Sequence, residues 1–489
     1  MNLSVFLKNR AKESPEGVCV VHNSNRLTYA EIDRLSDALA VKLIENGLKR
    51  GERVVILLEN SAEYIISFFG ILKSQGVVVP VSIQLVVREL SCLLSDCAPK
   101  FVITDARRRI SLDGLINPQF LIFIDKFDSS EGQGLLYPDD NHVQNDLAMI
   151  IYTSGTTGKP KGVMLSHGNL IANANSIIRY LNLRAEDKMM VILPFYYSYG
   201  ISLLTTHIKV GAALVIDNRF LYPNIILDMI ENEEVTGFAG VPSNFAILLR
   251  KSALSKYKLS KLRYVTQAGG AMAPSMIKEF IEFFPHVKFY VMYGQTEASA
   301  RLTYLEPDLL TKKIGSIGKA IPGVKIDILN EQGRLVKPGE IGEITASGEN
   351  VMLGYWNAPE ETSQILKKNC LFTGDLARID EEGFIYIVSR KKEMIKSGAN
   401  RISPLEIEEV VCRMSGVLEC AAVGVNDEIL GEAISLFVVN DGASISEREI
   451  MLFCKQNLAS YKTPKEVKLV SSLPKTSTGK VKRAELSRA

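Results

Sequence analysis

The sequence predicts an α/β protein with a large N-terminal domain of two helix-covered, mostly parallel sheets, followed by a small α+β domain. Helical and strand-like patterns alternate up to about residue 300, which is typical of parallel sheets covered by helices. From about residue 315 the apolar runs are short and separated by Gly, Pro and Asn, which indicates a β-rich subdomain. A helix-and-strand pattern returns after the charged run at 389–393.

Local sequence patterns predict the first helices and strands of the chain. Thr28 and Glu31 have the spacing of a capping box, and apolar residues then recur at helical spacing. The patterns that follow predict a strand over 53–58, a helix over 62–74 and a strand over 77–81.

The domain boundary is expected near Lys392. We expect an N-terminal domain over 1–390, in which the β-rich subdomain covers about 315–390, and a C-terminal domain over 391–489. A helix is predicted to start at Pro404, with acidic residues in its first turn. A unit of roughly 100 residues is large enough to fold separately.

Composition excludes several classes of protein. The 489 residues are 46% hydrophobic and 23% charged, as is usual for a globular protein. A net charge of +2 predicts no nucleic-acid partner, and the apolar run at 64–72 is too short for a membrane span. Seven cysteines without C-x-x-C spacing and the absence of a signal peptide favour a cytoplasmic protein.

The most informative segment is the glycine-rich run at 152–162. Four hydroxyl side chains, three glycines and two lysines lie between Thr153 and Gly162, with strand-like segments on both sides. Glycines allow close approach of the backbone to an anion, and successive N–H groups form an anion nest. The segment therefore predicts a polyphosphate site. Its glycine spacing differs from that of a Walker P-loop, and a flexible linker is the alternative interpretation.

Four further motifs follow the glycine-rich run in a fixed order. They are Tyr-Gly-Gln-Thr-Glu-Ala at 293–298, Phe-Thr-Gly-Asp-Leu at 372–376, Arg-Lys-Lys-Glu-Met-Ile-Lys-Ser-Gly at 390–398 and Pro-Lys-Thr-Ser-Thr-Gly-Lys at 474–480. With these five motifs, the chain resembles the adenylate-forming superfamily of acyl-CoA synthetases, peptide-synthetase adenylation domains and luciferases. The resemblance covers essentially the whole chain.

The resemblance implies an ATP-dependent acid–thiol ligase. Such an enzyme activates a carboxylic acid as an acyl-adenylate and passes the acyl group to a thiol, with ATP and Mg²⁺ as cofactors. Coenzyme A is the favoured acceptor. The alternatives are a free-standing adenylation enzyme that loads the phosphopantetheine of a carrier protein, a luciferase-type oxygenase, and a catalytically inactive ATP-binding scaffold.

The resemblance also implies roles for the residues around the phosphates. Thr296 contacts the α-phosphate, Glu297 ligates Mg²⁺, and Lys480 reaches the α-phosphate and the substrate carboxylate from a mobile loop. Without the resemblance, Glu297 would be interpreted as a solvated turn residue and Lys480 as part of a frayed tail. The residues expected to hold the β- and γ-phosphates are Thr153, Ser154, Gly155, Thr156, Thr157, Gly158 and Lys159.

The nucleoside is expected to bind between two further groups of residues. Asp375 accepts hydrogen bonds from the ribose hydroxyls and Arg390 assists it, although Gly-Asp is also a common turn pair. The resemblance implies that Gly270, Ala271 and Met272 form a strand along one face of adenine, although Gly269 and Gly270 could equally form a tight turn. The residues on the other face of adenine are Tyr293 and Gly294.

A rotation of the C-terminal domain between the two half-reactions is also implied, with Lys392 as the hinge. The loop containing Lys396, Ser397 and Gly398 would then line the thiol tunnel. Many relatives have Gly-Gly and an aromatic residue here, whereas this chain has Gly-Ala-Asn at 398–400. This departure leaves the contacts to the thiol acceptor open.

The acid is expected to bind beside a tyrosine-rich segment. Tyr197 stands where many fatty-acid and aryl-acid enzymes have His, and no acidic residue occurs between Phe195 and His207. An unpaired buried ammonium would be costly, so an α-amino acid is disfavoured. The tyrosines favour an apolar or aromatic acid, unless they serve only in core packing. The predicted pocket residues are Tyr196, Tyr197, Ser198, Gly200, Val241 and Ser243.

Overall fold

The computed structural model describes residues 1–108, 112–127, 144–153, 160–397, 400–440, 442, 445–475 and 481–487. The helices of these residues, in chain order, are α1 (Val5–Glu13), α2 (Tyr29–Glu45), α3 (Ala62–Lys73), α4 (Val87–Cys97), α5 (His167–Leu181), α6 (Ser198–Val210), α7 (Pro223–Asn232), α8 (Pro242–Lys251), α9 (Pro274–Phe283), α10 (Pro359–Ile365), α11 (Pro404–Val411), α12 (Glu447–Asn457) and α13 (Arg483–Leu486).

The strands of the same residues are β1 (Val18–His22), β2 (Asn25–Thr28), β3 (Arg53–Leu57), β4 (Val77–Pro80), β5 (Phe101–Thr104), β6 (Leu121–Phe123), β7 (Leu147–Thr153), β8 (Lys161–Ser166), β9 (Lys188–Val191), β10 (Ala213–Ile216), β11 (Gly237–Gly240), β12 (Tyr264–Gln267), β13 (Lys288–Tyr293), β14 (Thr303–Leu305), β15 (Lys319–Ala320), β16 (Val324–Leu329), β17 (Ile341–Gly348), β18 (Gly354–Tyr355), β19 (Leu366–Lys367), β20 (Cys370–Ile379), β21 (Ile385–Arg390), β22 (Ile395–Ser397), β23 (Asn400–Ile402), β24 (Val417–Asp427), β25 (Gly431–Asn440) and β26 (Glu466–Leu469).

Two large sheets form the N-terminal part. One has the order β15-β14-β13-β12-β11-β9-β10-β1-β2 and the other β18-β8-β7-β4-β3-β5-β6. The central strands pair in parallel, and antiparallel strands lie at one or both edges. A continuous apolar core joins both sheets through helices α2, α3, α5 and α6. The predicted α/β class with mostly parallel sheets is therefore confirmed.

Two smaller sheets follow. Strands β16, β17, β19, β20 and β21 form an antiparallel sheet, which corresponds to the predicted β-rich region. Strands β22 to β26 form a separate sheet, in which only the β25–β26 pair is parallel. Helices α11 and α12 pack on this last sheet around their own apolar core, which includes Ile407 and Ile450.

The local signals of the sequence are confirmed to within one residue at most ends. Thr28 caps α2, and its side chain accepts from the backbone N–H of Glu31 in a complete capping box. The strands and helix predicted over 53–81 are present. Pro404 is the first residue of α11, which Ser403 caps. No helix among the described residues is long and apolar enough to cross a membrane.

Candidate active site

The carboxylate of Asp375 lies at the centre of the predicted ribose site. Strands β20 and β21 pair so that Asp375 lies opposite Arg390, and the Arg390 Nε is 3.0 Å from Asp375 Oδ1. The hydroxyl of Tyr293 donates to the other oxygen, Oδ2, over 2.6 Å. Asp375 is 4% exposed. The structure thus brings together three residues that are far apart in the sequence.

This cluster is also coupled electrostatically. The charge of Asp375 raises the pKa of Arg390. Burial, together with the same carboxylate, raises the pKa of Tyr293 well above its usual value. Tyr293 therefore remains a neutral donor and Arg390 remains a cation at physiological pH.

Glu297 is held by a residue that the sequence analysis did not identify. The hydroxyl of Tyr355 donates to Glu297 Oε1 over 2.7 Å. Burial and the charge of Glu297 both raise the pKa of Tyr355, so it remains a donor. The Nζ of Lys161 lies 5.2 Å from the centre of the Tyr355 ring. Tyr355 thereby connects the glycine-rich segment to the predicted metal ligand.

Thr296 lies beside the predicted acid pocket. It begins a short 3₁₀ turn, Thr296–Ala298, and its Oγ1 is 3.3 Å from the Oγ of Ser198. Ser198 is the first residue of α6, directly after Tyr197. Thr296, which is expected at the α-phosphate, is therefore in contact with Ser198, which is expected in the acid pocket.

The glycine-rich segment is only partly within the described residues. Strands β7 and β8 pair antiparallel on its two sides, with Thr153 opposite Lys161. The predicted phosphate-binding residues between them lie outside the described residues: Ser154, Gly155, Thr156, Thr157, Gly158 and Lys159.

Gly270, Ala271 and Met272 do not form the strand that the resemblance implied; the backbone bends at Gly269 and Gly270, in agreement with the alternative interpretation. Strand β12 ends at Gln267, and these three residues form an irregular segment before α9. The reason is Gly269, which has φ +89°, a left-handed conformation that ends the strand. The side chain of Gln267 donates to the backbone oxygen of Gly270 over 2.8 Å and fixes the turn.

This turn lies close to two of the predicted acid-pocket residues. A Cβ on Gly269 would be 3.1 Å from Cγ1 of Val241, and one on Gly270 would be 3.5 Å from Pro242. Ser243 follows in the first turn of α8. The predicted adenine-binding and acid-binding segments are therefore neighbours.

The tyrosine-rich segment divides into core and half-buried residues. Phe195 is fully buried against Tyr64, with ring centres 5.2 Å apart. Tyr196 and Tyr197 contact each other at 4.5 Å between ring centres, and Tyr197 is the more exposed of the two. Gly200 is required for packing, because a Cβ there would lie 2.1 Å from the Pro194 carbonyl oxygen.

Comparison with known proteins identifies the family of this chain. Residues 7–356 match the family model described as AMP-binding enzyme, and residues 406–480 match the AMP-binding enzyme C-terminal domain. The chain belongs to the AMP-binding enzyme family. Feruloyl-CoA synthase from Amycolatopsis sp is 32% identical over 483 residues, which are 98% of this chain and 97% of the relative.

The alignments with a second relative and with a solved structure also extend over nearly the whole length of this AMP-binding enzyme. Long-chain-fatty-acid–CoA ligase from Bacillus subtilis (strain 168) is 33% identical, with 99% of this chain and 94% of the relative covered. O-succinylbenzoate coenzyme A synthetase from Bacillus subtilis, in complex with ATP and magnesium ion, has a TM-score of 0.89 at 28% identity. That match covers 98% of each chain.

The motif at 390–398 of this AMP-binding enzyme leads from β21 into the C-terminal sheet. Lys392 is exposed in the turn between β21 and β22. The backbone N–H of Lys396 donates to Glu432 Oε2 over 2.6 Å, and Ser397 pairs with Gly431 of β25. Gly398 of the predicted thiol tunnel and the predicted catalytic residue Lys480 lie outside the described residues.

A second residue that the sequence analysis did not identify is Arg301, four positions after Glu297. It is 3% exposed, and its guanidinium lies over the ring of Tyr199, 3.9 Å from the ring centre. Its only signal in the sequence is a cation between the Ala-Ser-Ala and Leu-Thr-Tyr segments, which by itself predicts nothing.

Proposed function

We propose that this AMP-binding enzyme is an acid–thiol ligase that forms an acyl-adenylate from a carboxylic acid and ATP and transfers the acyl group to coenzyme A. The contact between Ser198 and Thr296 carries this proposal. It joins the segment expected to hold the acid to the residue expected at the α-phosphate, and the two reactants must meet at such a point.

The Asp375 cluster is suited to the ribose of ATP. A carboxylate offers about four acceptor positions on its two oxygens, and Tyr293 and Arg390 each use one oxygen. Acceptor capacity therefore remains for the two ribose hydroxyls. Because Tyr293 and Arg390 hold the carboxylate in place before ATP binds, little conformational freedom is lost on binding.

The residues present also fit Mg²⁺ bound together with ATP. No cluster of three or more His, Cys, Asp or Glu side chains that could hold a metal occurs in the described part of the chain. Mg²⁺ is commonly held by one or two carboxylates together with substrate phosphates. Glu297, oriented by Tyr355, would be that carboxylate. The ion would neutralise phosphate charge when bound.

Adenylation is a displacement at the α-phosphorus. One oxygen of the substrate carboxylate attacks this phosphorus, and the bond to the pyrophosphate oxygen breaks with its electron pair. The protein contributes position and positive charge. We assign the α-phosphate contact to Thr296 and charge stabilisation to Lys480. The phosphates of the leaving group would contact Thr153 and the loop that follows it.

In the second step, the sulfur of the thiol attacks the acyl carbon and AMP leaves. We propose that residues from 391 onward form the domain that rearranges between the steps, with Lys392 as the hinge. Supporting observations are the separate sheet and core of this part. Lys396 and Ser397, beside Gly398, would then line the thiol path.

Coenzyme A is preferred over a carrier protein because the relatives described above are named as coenzyme A ligases. We also propose a cytoplasmic location. All seven cysteines are within the described residues and all are free, as is usual in a reducing compartment.

Pyrophosphate release, measured over a panel of carboxylic acids with and without coenzyme A, tests this function. We expect release with at least one acid and a coenzyme A thioester as the product. Release without a thioester would indicate a carrier protein as the acceptor. No release with any acid would favour an ATP-binding scaffold and contradict the proposal.

A further inference from the structure

Two cysteine side chains of the C-terminal part are in contact with each other. The Sγ atoms of Cys412 and Cys420 lie 3.6 Å apart, and both thiols are free. Cys412 directly follows helix α11 and forms its C-cap, and Cys420 lies in strand β24. The two sulfurs meet because α11 packs on the sheet through a shared apolar core, which includes Ile407 and Cys420.

A disulfide between these cysteines needs only a short further approach. Bonded sulfur atoms lie about 2 Å apart, so the two Sγ atoms have to move closer by about 1.5 Å. Cys420 is 8% exposed, whereas Cys412 is only partly buried. The side chain of Cys412 therefore has room to turn towards its partner.

Cys412 can be reached from a cavity between the two parts of the chain. The cavity has a volume of about 790 Å³, which is in the range of pockets that admit small organic molecules. Arg378 and Tyr386, on strands β20 and β21, lie on one side of it. Glu409 of α11, Cys412 and Arg413 lie on the other side. A small reagent in this cavity therefore has access to the Cys412 side chain.

The two thiols are suited to different roles. The contact with Cys412, together with burial, raises the pKa of the Cys420 thiol well above its usual value. The Sγ of Cys420 also donates to the backbone oxygen of Glu408 over 3.6 Å. Because the thiolate is the nucleophile in exchange reactions, the first attack on a reagent falls to the accessible Cys412. Cys420 acts second, on the sulfur that lies beside it.

Ordinary core packing is the alternative explanation for two thiols in contact. A buried free cysteine behaves as a small apolar residue, and Cys19 and Cys454, both fully buried, fit that description. Cys412 does not, since it lines a cavity and is only partly buried. An accessible thiol beside a buried second one is the arrangement in which the first product of oxidation can be converted into a disulfide.

We propose that Cys412 and Cys420 are a reversible modification site, at which a low-molecular-weight disulfide oxidises the two thiols to a disulfide. The Cys412 thiolate attacks one sulfur of the small disulfide, so that a mixed disulfide forms and the first small thiolate leaves. The Cys420 sulfur then attacks the Cys412 sulfur. The bond to the second small thiolate breaks with its electron pair, and this thiolate takes up the proton of Cys420.

The reaction is balanced, since two cysteines are oxidised and one small disulfide is reduced to two thiols. Reversible disulfides of this kind are compatible with the cytoplasmic location proposed above, where they are usually transient. The residues assigned to ATP and to the acid take no part, so the site does not depend on the proposed function.

The test uses oxidised glutathione as the probe, in excess over reduced glutathione, on the full-length protein. The reaction is stopped with acid, free thiols are alkylated, and the protein is digested with trypsin. Because Arg413 separates the two cysteines, they fall on the peptides 402–413 and 414–448. We expect mass spectrometry to find these two peptides linked as their main form. Dithiothreitol should release both.

Serine variants test the order of the two steps. Cys420→Ser should stop the reaction after the first step, so that glutathione stays on Cys412. Cys412→Ser should leave the buried Cys420 reduced. The matched control is Cys92→Ser, which removes an exposed cysteine on α4 and should give the same linked peptides as the wild type.

The wild-type protein decides the question even if a serine variant does not fold. Stable glutathione on Cys412 with Cys420 still reduced would overturn the proposal. The same holds if both cysteines stay reduced under conditions that modify the exposed Cys92. In denaturant, where the contact is lost, mixed disulfides should be more abundant relative to the linked peptides. An equal ratio in the folded and unfolded protein would show that the fold does not promote the link.

Discussion

The two ends of the candidate site differ in how their charged groups are compensated. At the ribose end, the carboxylate of Asp375 already holds Tyr293 and Arg390. Beside Ser202, the buried Arg301 has no salt bridge to a carboxylate among the described residues, and its Nε has no hydrogen-bond partner. The first arrangement pairs opposite charges, whereas the second surrounds a charge with neutral hydrogen-bond partners and the face of an aromatic ring. If Asp375 binds the ribose as proposed, changes at its cluster should affect the activation of every acid to the same extent.

The largest effect is expected from Lys480→Ala, which should slow adenylate formation about 100- to 1,000-fold with every acid. Thioester formation from a supplied acyl-adenylate should be affected much less, because the charge acts at the α-phosphate. Lys482→Ala is the matched control, since Lys482 pairs with Glu485 at 2.9 Å. Equal loss of both steps in single-turnover measurements would contradict a role limited to adenylation.

The next effect is expected from Asp375→Asn, which removes the charge but keeps the shape. KM for ATP should rise about 10- to 100-fold, since hydrogen bonds to a charged group contribute about 1.5 to 3 kcal/mol. The relative turnover of different acids should stay the same.

Asp380→Asn is the control for Asp375→Asn, since it alters a carboxylate of the same sheet that pairs with Lys313. If Asp375→Asn changed the preference among acids but left KM for ATP unchanged, the proposed role of Asp375 in nucleotide binding would be wrong.

A smaller effect concerns stability and pH. His207, on the same helix as Ser202, is buried, and its ring nitrogens contact the Leu203 carbonyl oxygen and the hydroxyls of Thr206 and Tyr264. Burial lowers its pKa from 6.5 to about 4. Between pH 4 and pH 6.5, His207 is largely protonated in the unfolded chain but largely neutral in the folded protein. The free energy of unfolding therefore falls as the pH drops below about 6.5.

Between pH 7 and pH 5 the free energy of unfolding should fall by about 2 kcal/mol because of His207. Denaturant unfolding at pH 7 and pH 5 measures this decrease in the free energy of unfolding. The His207→Gln variant should show a smaller decrease. The same loss in wild type and variant would contradict the assignment. The comparison with Arg301 is direct, because a buried histidine can discard its charge and a buried arginine cannot.

The smallest effect is expected from Tyr355→Phe, which removes one hydrogen bond to Glu297. Turnover should fall less than about tenfold, and the Mg²⁺ concentration for half-maximal rate should rise, because the carboxylate is less well oriented. Tyr257→Phe, which removes a comparable surface contact to Asp228, serves as the control. An unchanged Mg²⁺ dependence would argue against Glu297 as the metal ligand.

Much of the fold could be predicted because its signals are local. The capping box at Thr28 and the helix start at Pro404 each depend on residues within one turn, and both are confirmed. The strand that the resemblance implied at Gly270–Met272 is absent because Gly269 adopts a left-handed φ, which the alternative of a turn at this glycine pair allows. Local backbone conformation at a glycine can override a matching motif.

The candidate site was predictable only in part, for a different reason. Tyr355 reaches Glu297 because the two-residue strand β18 pairs with β8, almost 200 positions earlier in the chain. Arg301 becomes informative only when its burial and the absence of a described carboxylate nearby are known. Both depend on long-range packing, which a single sequence does not display. Roles carried over for Lys480 and for the loop at 154–159 stay predictions.

The register of β20 and β21 has a mechanical consequence. Asp375 and Arg390 form the final pair of this ladder, and one further hydrogen bond, from Lys391 to Gly374, follows before the chain turns away. If ATP binds Asp375 as proposed, it contacts the end of the ladder from which the C-terminal part of the chain extends. Because Arg390 is only two positions before the proposed hinge at Lys392, the proposed nucleotide contact and the start of the proposed C-terminal domain share one strand end.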